Sequence, residues 1–335
     1  MPEAADEVVH PSVEVDPTAI DNTDPDSTYD EATLESTQSL SSSIFDYEEV
    51  HGRTYHAYHN GKYWLPNDAD EMERIDIMYH AYRLAMGDKL HYAPIDQDPS
   101  AVLDVGTGTG LWALDFADEY PSAQVIATDL SPIQPAWVPN NLEFQIADSD
   151  EPWTFGAKFD LIHTRLMYDC SLRSWPHFFS EAYKALKPGG WVECQEFSHH
   201  RMSDDNSIPV GSRITHWENL WTEGMQRIGL GGTVNVERLV GQMKEAGLQD
   251  VTCTMFKLPI GPWPKDLLLK EAGKLGYANL DNALYGVSVK LFTEALGWGI
   301  DELHALVAEC RKELKRRNVH AYWPLYIVMG RKPVT

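Results

Sequence analysis

Ala101-Val102-Leu103-Asp104-Val105-Gly106-Thr107-Gly108-Thr109-Gly110 begins as a short apolar, β-branched run and breaks at three alternating glycines. A helical pattern, Leu111-Trp112-Ala113-Leu114-Asp115-Phe116-Ala117, follows at once. Strand, tight turn and helix start, in that order, mark the place where an open α/β sheet binds a nucleotide-like ligand. Glycine suits the turn because it tolerates unusual φ/ψ and leaves no Cβ between a ligand and the backbone. The next strand-like run, Gln124-Val125-Ile126-Ala127-Thr128, ends in Asp129, whose carboxylate can accept hydrogen bonds from both hydroxyls of a ribose.

The register of the loop narrows the ligand. A dinucleotide fingerprint reads G-x-G-x-x-G/A directly after the strand. Counted from Gly106 it fails at Leu111; counted from Gly108 it fits, but begins three residues beyond the strand. Asp-x-Gly-x-Gly-x-Gly instead resembles motif I of the class I S-adenosylmethionine-dependent methyltransferases. Further along, Asn141-Leu142-Glu143-Phe144-Gln145-Ile146-Ala147-Asp148 reads as a third strand ending in an acid, and Lys158 to Arg165 as a fourth. A helix from about Trp175 to Leu186 then meets Lys187-Pro188-Gly189-Gly190, a helix stop with glycine expected in the left-handed cap. The fifth strand runs from Trp191 to Phe197. Leu-Lys-Pro-Gly-Gly-Trp-Val at this point is similar to a signature of small-molecule methyltransferases, and the resemblance implies that Asp148 holds the adenine amino group. Taken alone, Asp148 could equally cap a turn.

Upstream, Gly52-Arg53-Thr54-Tyr55-His56-Ala57-Tyr58 and Gly61-Lys62-Tyr63-Trp64-Leu65-Pro66-Asn67-Asp68 are dense in aromatics and histidine. This segment resembles the N-terminal signature of the fungal LaeA-like methyltransferases, approximately G-R-x-Y-x-x-Y…G-x-Y-x-x-P-N-D. The resemblance implies that it folds back near the cofactor, with Tyr58, Tyr63 and Trp64 as candidate lining. An aromatic face would attract a sulfonium cation; a purely hydrophobic clasp is the alternative. In the helix that follows, Met72, Ile75, Met78, Tyr79 and Tyr82 recur at helical spacing and read as a core stripe.

Composition bounds the rest. The 335 residues are 43% hydrophobic, enough for a full core, and no apolar run is long enough to span a bilayer. The N-terminus has neither a basic region nor an apolar core, so no secretory signal is expected. The formal net charge of −24 is concentrated in residues 1–50, which hold no Lys or Arg, yet the excess of acid persists beyond them. Such a chain repels a nucleic-acid backbone. The basic run Arg311 to Arg317 ends a helical pattern, where cations complement the helix dipole. Cys170, Cys194, Cys253 and Cys310 are widely spaced and suit neither a zinc site nor a disulfide framework. No metal, membrane or nucleic acid is expected, and the compartment is expected to be the cytoplasm, with the nucleus as alternative.

Residues 1–43, acidic, rich in Ser, Thr and Pro and without apolar period, are expected to be a disordered tail. The resemblance implies a methyltransferase domain over residues 44–335, with 44–98 expected as the aromatic segment and helix, 99–197 as the cofactor-binding half, and 198–335 as helical insertions and the last two strands. The insertions comprise 198–229, rich in His and Trp, and roughly 264–318. The alternation predicts an α/β fold with a doubly wound, seven-stranded, mostly parallel sheet whose last strand, around Tyr322 to Gly330, is antiparallel. The insertions are expected to cover the acceptor site.

For the cofactor, S-adenosylmethionine, the expected contacts are Asp104 near the methionine amino end, Gly106, Gly108 and Gly110 along the backbone, Asp129 on the ribose, Asp148 on the adenine, and Tyr58. His163 and Arg165, at the end of the fourth strand, are the candidate catalytic residues; His199 and His200 come next. A general base is needed only for a hydroxyl or protonated amine acceptor. The leading expectation is methyl transfer to O, N or S of a small molecule of fungal secondary metabolism. Two alternatives stand beside it: a LaeA-type nuclear regulator acting through protein partners, and a methyltransferase fold recruited to non-methylating chemistry.

Overall fold

The computed structural model describes residues 7–9, 13–14, 45–59, 61–155, 159–168 and 171–334. Strand β4 (Ala101–Val105) lies at the middle of its main sheet, parallel to β5 (Gln124–Asp129) on one side and β7 (Phe159–Arg165) on the other. β6 (Leu142–Ile146) forms one edge. On the opposite side follow β8 (Leu186–Phe197), β10 (Tyr322–Arg331) and β9 (Gln249–Pro259), with β10 antiparallel to both neighbours. These are the seven expected strands. An eighth, β1 (Glu7–Val9), lies parallel to β9 at the edge. The expectation of an unstructured 1–43 is thus corrected at these three residues; apart from them and Val13 and Glu14, that stretch lies outside the described residues.

Period-two alternation divides the sheet's faces. Val102, Val125 and Leu161 pack under Trp112, Ala113 and Phe116 of α2 (Leu111–Glu119) and Tyr79 of α1 (Ala69–Ala85). Leu103, Ile162 and Val192 face the other way, against Phe178 and Phe179 of α3 (Trp175–Ala185) and Leu239 and Met243 of α5 (Val236–Glu245). Each such burial contributes about 1.5–3 kcal/mol. Helix starts follow the sequence: Asp68, Ser174, Asn235 and Asp266 each accept a hydrogen bond from the backbone N–H three residues on, at α1, α3, α5 and α6 (Leu267–Gly286).

Lys187-Pro188-Gly189-Gly190 departs from its expected role. Helix α3 passes directly into β8, and these residues form a bulge within that strand, so that Leu186 pairs with Phe159 and Trp191 with Leu161. Gly189 does adopt a left-handed φ of 84°, but inside the strand. There the N–H of Gly189 donates to the carbonyl of Lys332 at 2.9 Å.

A third apolar cluster joins the inserted helices to β9 and β10. Ile214, Trp217, Trp221 and Met225 of α4 (Arg213–Arg227) meet Leu280 and Leu284 of α6, Leu291 and Phe292 of a π-helical turn (Leu291–Ala295), and Leu303 and Leu306 of α7 (Ile300–Leu314). Trp323 and Leu325 of β10 close it from the sheet. The small hairpin β2 (Glu48–Val50) and β3 (Arg53–Tyr55) precedes α1, to whose cap it is tied: Arg53 donates two hydrogen bonds of 2.6 Å to Asp68.

Candidate active site

A cleft of about 1620 Å³, open mouth included, runs along the C-terminal ends of β5, β4, β7 and β8. Ligands of open α/β sheets bind at this edge. Its floor is the glycine loop. Gly106 and Gly108 line it with φ of 74° and 60°. A Cβ at Gly106 would lie 2.3 Å from the sulfur of Met167, so the residue is small because the β7–α3 connection crosses close by. Gly110 serves a different purpose. It precedes α2 with φ 88°, and a Cβ there would strike the ring of Phe144 at 2.4 Å. It lies behind the loop and does not line the cleft.

Asp129, at the end of β5, is recessed beside the loop and accepts hydrogen bonds of 2.9 Å from the N–H groups of Gly108 and Ser131. Burial pushes its carboxyl up to about 6, against the pull of those backbone donors. Asp148, two residues beyond β6, also lines the cleft. Burial tends to raise its pKa, but hydrogen bonds from Lys62 and His59 hold it below the usual carboxylate range. His59 Nδ1 is 2.7 Å from its Oδ2, and the Lys62 ammonium bonds to the same oxygen. The aromatic segment therefore straps across the adenine end expected for the cofactor. Tyr63 lines the cleft; Tyr58 does not, being stacked on His59 with ring centroids 4.0 Å apart. That expectation is corrected: the clasp on Asp148 turns Tyr58 away.

Two other expectations change. His163 is 1% exposed and lies beneath the loop, its ring stacked on Trp112 at 3.7 Å and its Nδ1 2.7 Å from Asp104 Oδ1. The second oxygen of Asp104 accepts from the Thr107 hydroxyl at 2.6 Å. Neither residue lines the cleft. Asp104 and His163 brace the loop from within, because strand alternation points both side chains at α2. Arg165, two residues past His163, does reach the cleft, between the rings of Tyr79 (4.8 Å) and Tyr82 (5.7 Å).

Beyond β7 the cleft changes character. Phe197, Trp217, Trp221, Trp323, Leu280, Ala283 and Val287 make an aromatic and apolar chamber, with the strap contributing Leu65 and α1 contributing Ile75 and Met78. The helical stripe read as core in α1 thus partly faces the site. Sparse polar groups punctuate the chamber. Glu196 accepts from the N–H groups of Met167 and Tyr168 at 3.1 Å each. His199 is held through Nε2 by the Thr222 hydroxyl at 2.8 Å, and its ring lies 4.6 Å from that of Trp221. The indole N–H of Trp221 is buried without a hydrogen-bond partner among the described residues. Sequence reading missed Trp323, Leu280 and Asn279 because they come from distant segments that only the fold brings to one wall. No spacing signals it.

The cleft suits S-adenosylmethionine on its own geometry: a loop that presents bare backbone at Gly106 and Gly108, a recessed carboxylate for ribose hydroxyls, and a guanidinium at the far end that has no hydrogen-bond partner among the described residues. The family model for the methyltransferase domain matches residues 78–253. Methyltransferase pytC of Aspergillus terreus is 39% identical over 298 residues, covering 88% of this chain and 91% of pytC. The secondary metabolism regulator laeA of Aspergillus flavus is 33% identical over 304 residues, covering 90% and 81%. The probable methyltransferase tdiE of Emericella nidulans is 32% identical over 281 residues, covering 82% and 86%. A glycine cradle followed by acids at the ends of β5 and β6, beneath an aromatic strap, agrees with these likenesses: the chain belongs to the fungal LaeA-like class I S-adenosylmethionine-dependent methyltransferases.

Proposed function

We propose that the protein methylates an O, N or S atom of a small, largely apolar aromatic molecule of fungal secondary metabolism. The observation that carries this is a single cleft passing without a wall from Asp129 and the glycine loop into the tryptophan-lined chamber. S-adenosylmethionine supplies, when bound, a methyl group already activated on sulfur. Catalysis by the chain is then chiefly positioning and desolvation. Gly106 and Gly108 admit the cofactor to the backbone, Asp129 accepts from its ribose, and Asp148 faces its adenine. Trp217, Trp221, Phe197 and Trp323 offer aromatic faces to a flat acceptor and exclude water. The partnerless indole N–H of Trp221 asks for a hydrogen-bond acceptor on that molecule. His199, the one imidazole lining the cleft among the described residues, would take the proton of a hydroxyl acceptor.

The test is incubation of purified protein with S-adenosylmethionine and a panel of hydroxylated aromatics, read by mass spectrometry as gain of one methylene. Trp221→Ala should raise KM for the acceptor and leave cofactor affinity unchanged. Cofactor binding with no methylated product across the panel would count against a small-molecule acceptor. A second reading draws on the relatives named as secondary metabolism regulators: action in the nucleus through a protein partner. Affinity capture from fungal nuclei would favour it if a stoichiometric partner co-purified and deletion strains kept all metabolite methylation.

A further inference from the structure

Arg165 is a cation without a counterpart. Among the described residues its guanidinium has no hydrogen bond or ion pair, and its Nη1 is shut off from solvent with no partner at all. Arg165 is half-buried, and a donor of a charged group sealed from water without a partner is costly and calls for an explanation, of which a ligand is one. The nearby acids do not complete it. Asp104 is committed to His163 and Thr107, and Asp76 accepts from the Thr109 hydroxyl at 2.6 Å. Both act on Arg165 only through space, as do Tyr79 and Tyr82. The two rings hold the guanidinium against the cleft instead of pairing with it.

Strand order says which part of the cofactor arrives there. The order β6-β5-β4-β7-β8 places Asp148 and Asp129 on one side of the glycine loop and Arg165 on the other. With the nucleoside toward β5 and β6, the amino-acid end must extend toward β7. S-adenosylmethionine carries one anionic group, the carboxylate at that end. Its sulfonium and ammonium would be repelled by a guanidinium, whereas a carboxylate matches the planar donor fork of arginine.

We propose that Arg165 is the receptor for the methionine carboxylate of S-adenosylmethionine, which makes it a cofactor anchor and not an acceptor-side catalytic residue. The assignment rests on the cofactor reading above. Binding of two ligands by calorimetry tests it: S-adenosylhomocysteine, which bears the carboxylate, and methylthioadenosine, which shares the nucleoside and sulfur but lacks the amino acid. Arg165→Gln should weaken S-adenosylhomocysteine about 10- to 100-fold, the range for a lost charged hydrogen bond, and leave methylthioadenosine within about twofold. Arg165→Lys should fall between the two. Methylthioadenosine binding by the variant also reports that the nucleoside site is folded. Equal losses for both ligands, or no loss for either, would overturn the assignment and leave the cofactor reading standing. Failure of the unaltered protein to bind either ligand would overturn both.

Discussion

At the residue scale, Asp129 shows how burial sets a working range. A carboxyl pushed up to about 6 is neutral in the folded protein at pH values where an exposed aspartate is charged. Folding therefore favours its protonated form, and its contribution to stability is largest below the ordinary value near 3.8 and lost as pH rises through about 6. Ribose hydroxyls, which donate, favour the charged form. Affinity for S-adenosylhomocysteine should hold from pH 8 down to about 6.5 and then fall, approaching about tenfold per unit; calorimetry across that range checks it. Asp129→Ala should abolish measurable binding and the pH dependence with it. His163 makes the opposite point. Its contacts with Trp112 and Asp104 are internal, so His163→Gln should cost about 2–4 kcal/mol of stability. Turnover at a permissive temperature should remain within a few-fold. A hundredfold loss of kcat in a folded variant would restore it to the chemistry.

At the scale of elements, the acceptor chamber depends on how closely α6 approaches the end of β9. Gly273 and Gly276 have no room for a methyl group: an added Cβ would lie 2.1 Å from the carbonyl oxygen of Gly261 and 2.3 Å from that of Pro259. Backbone oxygens cannot rotate aside as a side chain can. Gly276→Ala should therefore shift α6, lowering Tm by the equivalent of about 1–3 kcal/mol and raising KM for the acceptor. Cofactor affinity should be unchanged, since the glycine loop and Asp129 lie on β4 and β5. The strap is a second such element. It is anchored at one end by Arg53 on Asp68 and at the other by Lys62 and His59 on Asp148, so its position over the cleft is set by charge as well as by its aromatic rings.

For the molecule as a whole, a buried polar network ties the inserted helices to the sheet. Arg201, beyond β8, donates at 2.6 Å to Glu218 on α4, and Ser212 joins Glu313 on α7. Arg201 and Glu218 side chains are each 2% exposed. Glu218→Ala would strand the Arg201 charge in the interior, and such losses run to about 3–5 kcal/mol. The same cost should appear in chemical denaturation, and replacing both partners with apolar residues should recover most of it. No helix among the described residues is long and apolar enough to cross a membrane.

What the chain alone determined is local. Asp104 to Gly110 announces a cofactor loop because a left-handed turn without Cβ atoms has few sequence solutions, and the short, nearly continuous apolar runs of β4, β5 and β7 follow from having both faces covered. Asp129 was legible because it ends a strand beside that loop. The destinations of side chains that depend on packing were not. His163 and Arg165 sit two residues apart on one strand, yet one is sealed beneath α2 and the other reaches the cleft past the rings of α1. Tyr58 turns away because Lys62 and His59 claim Asp148, a contact across more than eighty residues. The cofactor end is written in short spacings that backbone geometry enforces. The acceptor end is assembled by tertiary contact among α1, α4, α6 and β10, and burial of their apolar faces, with no short-range rule, decides its shape.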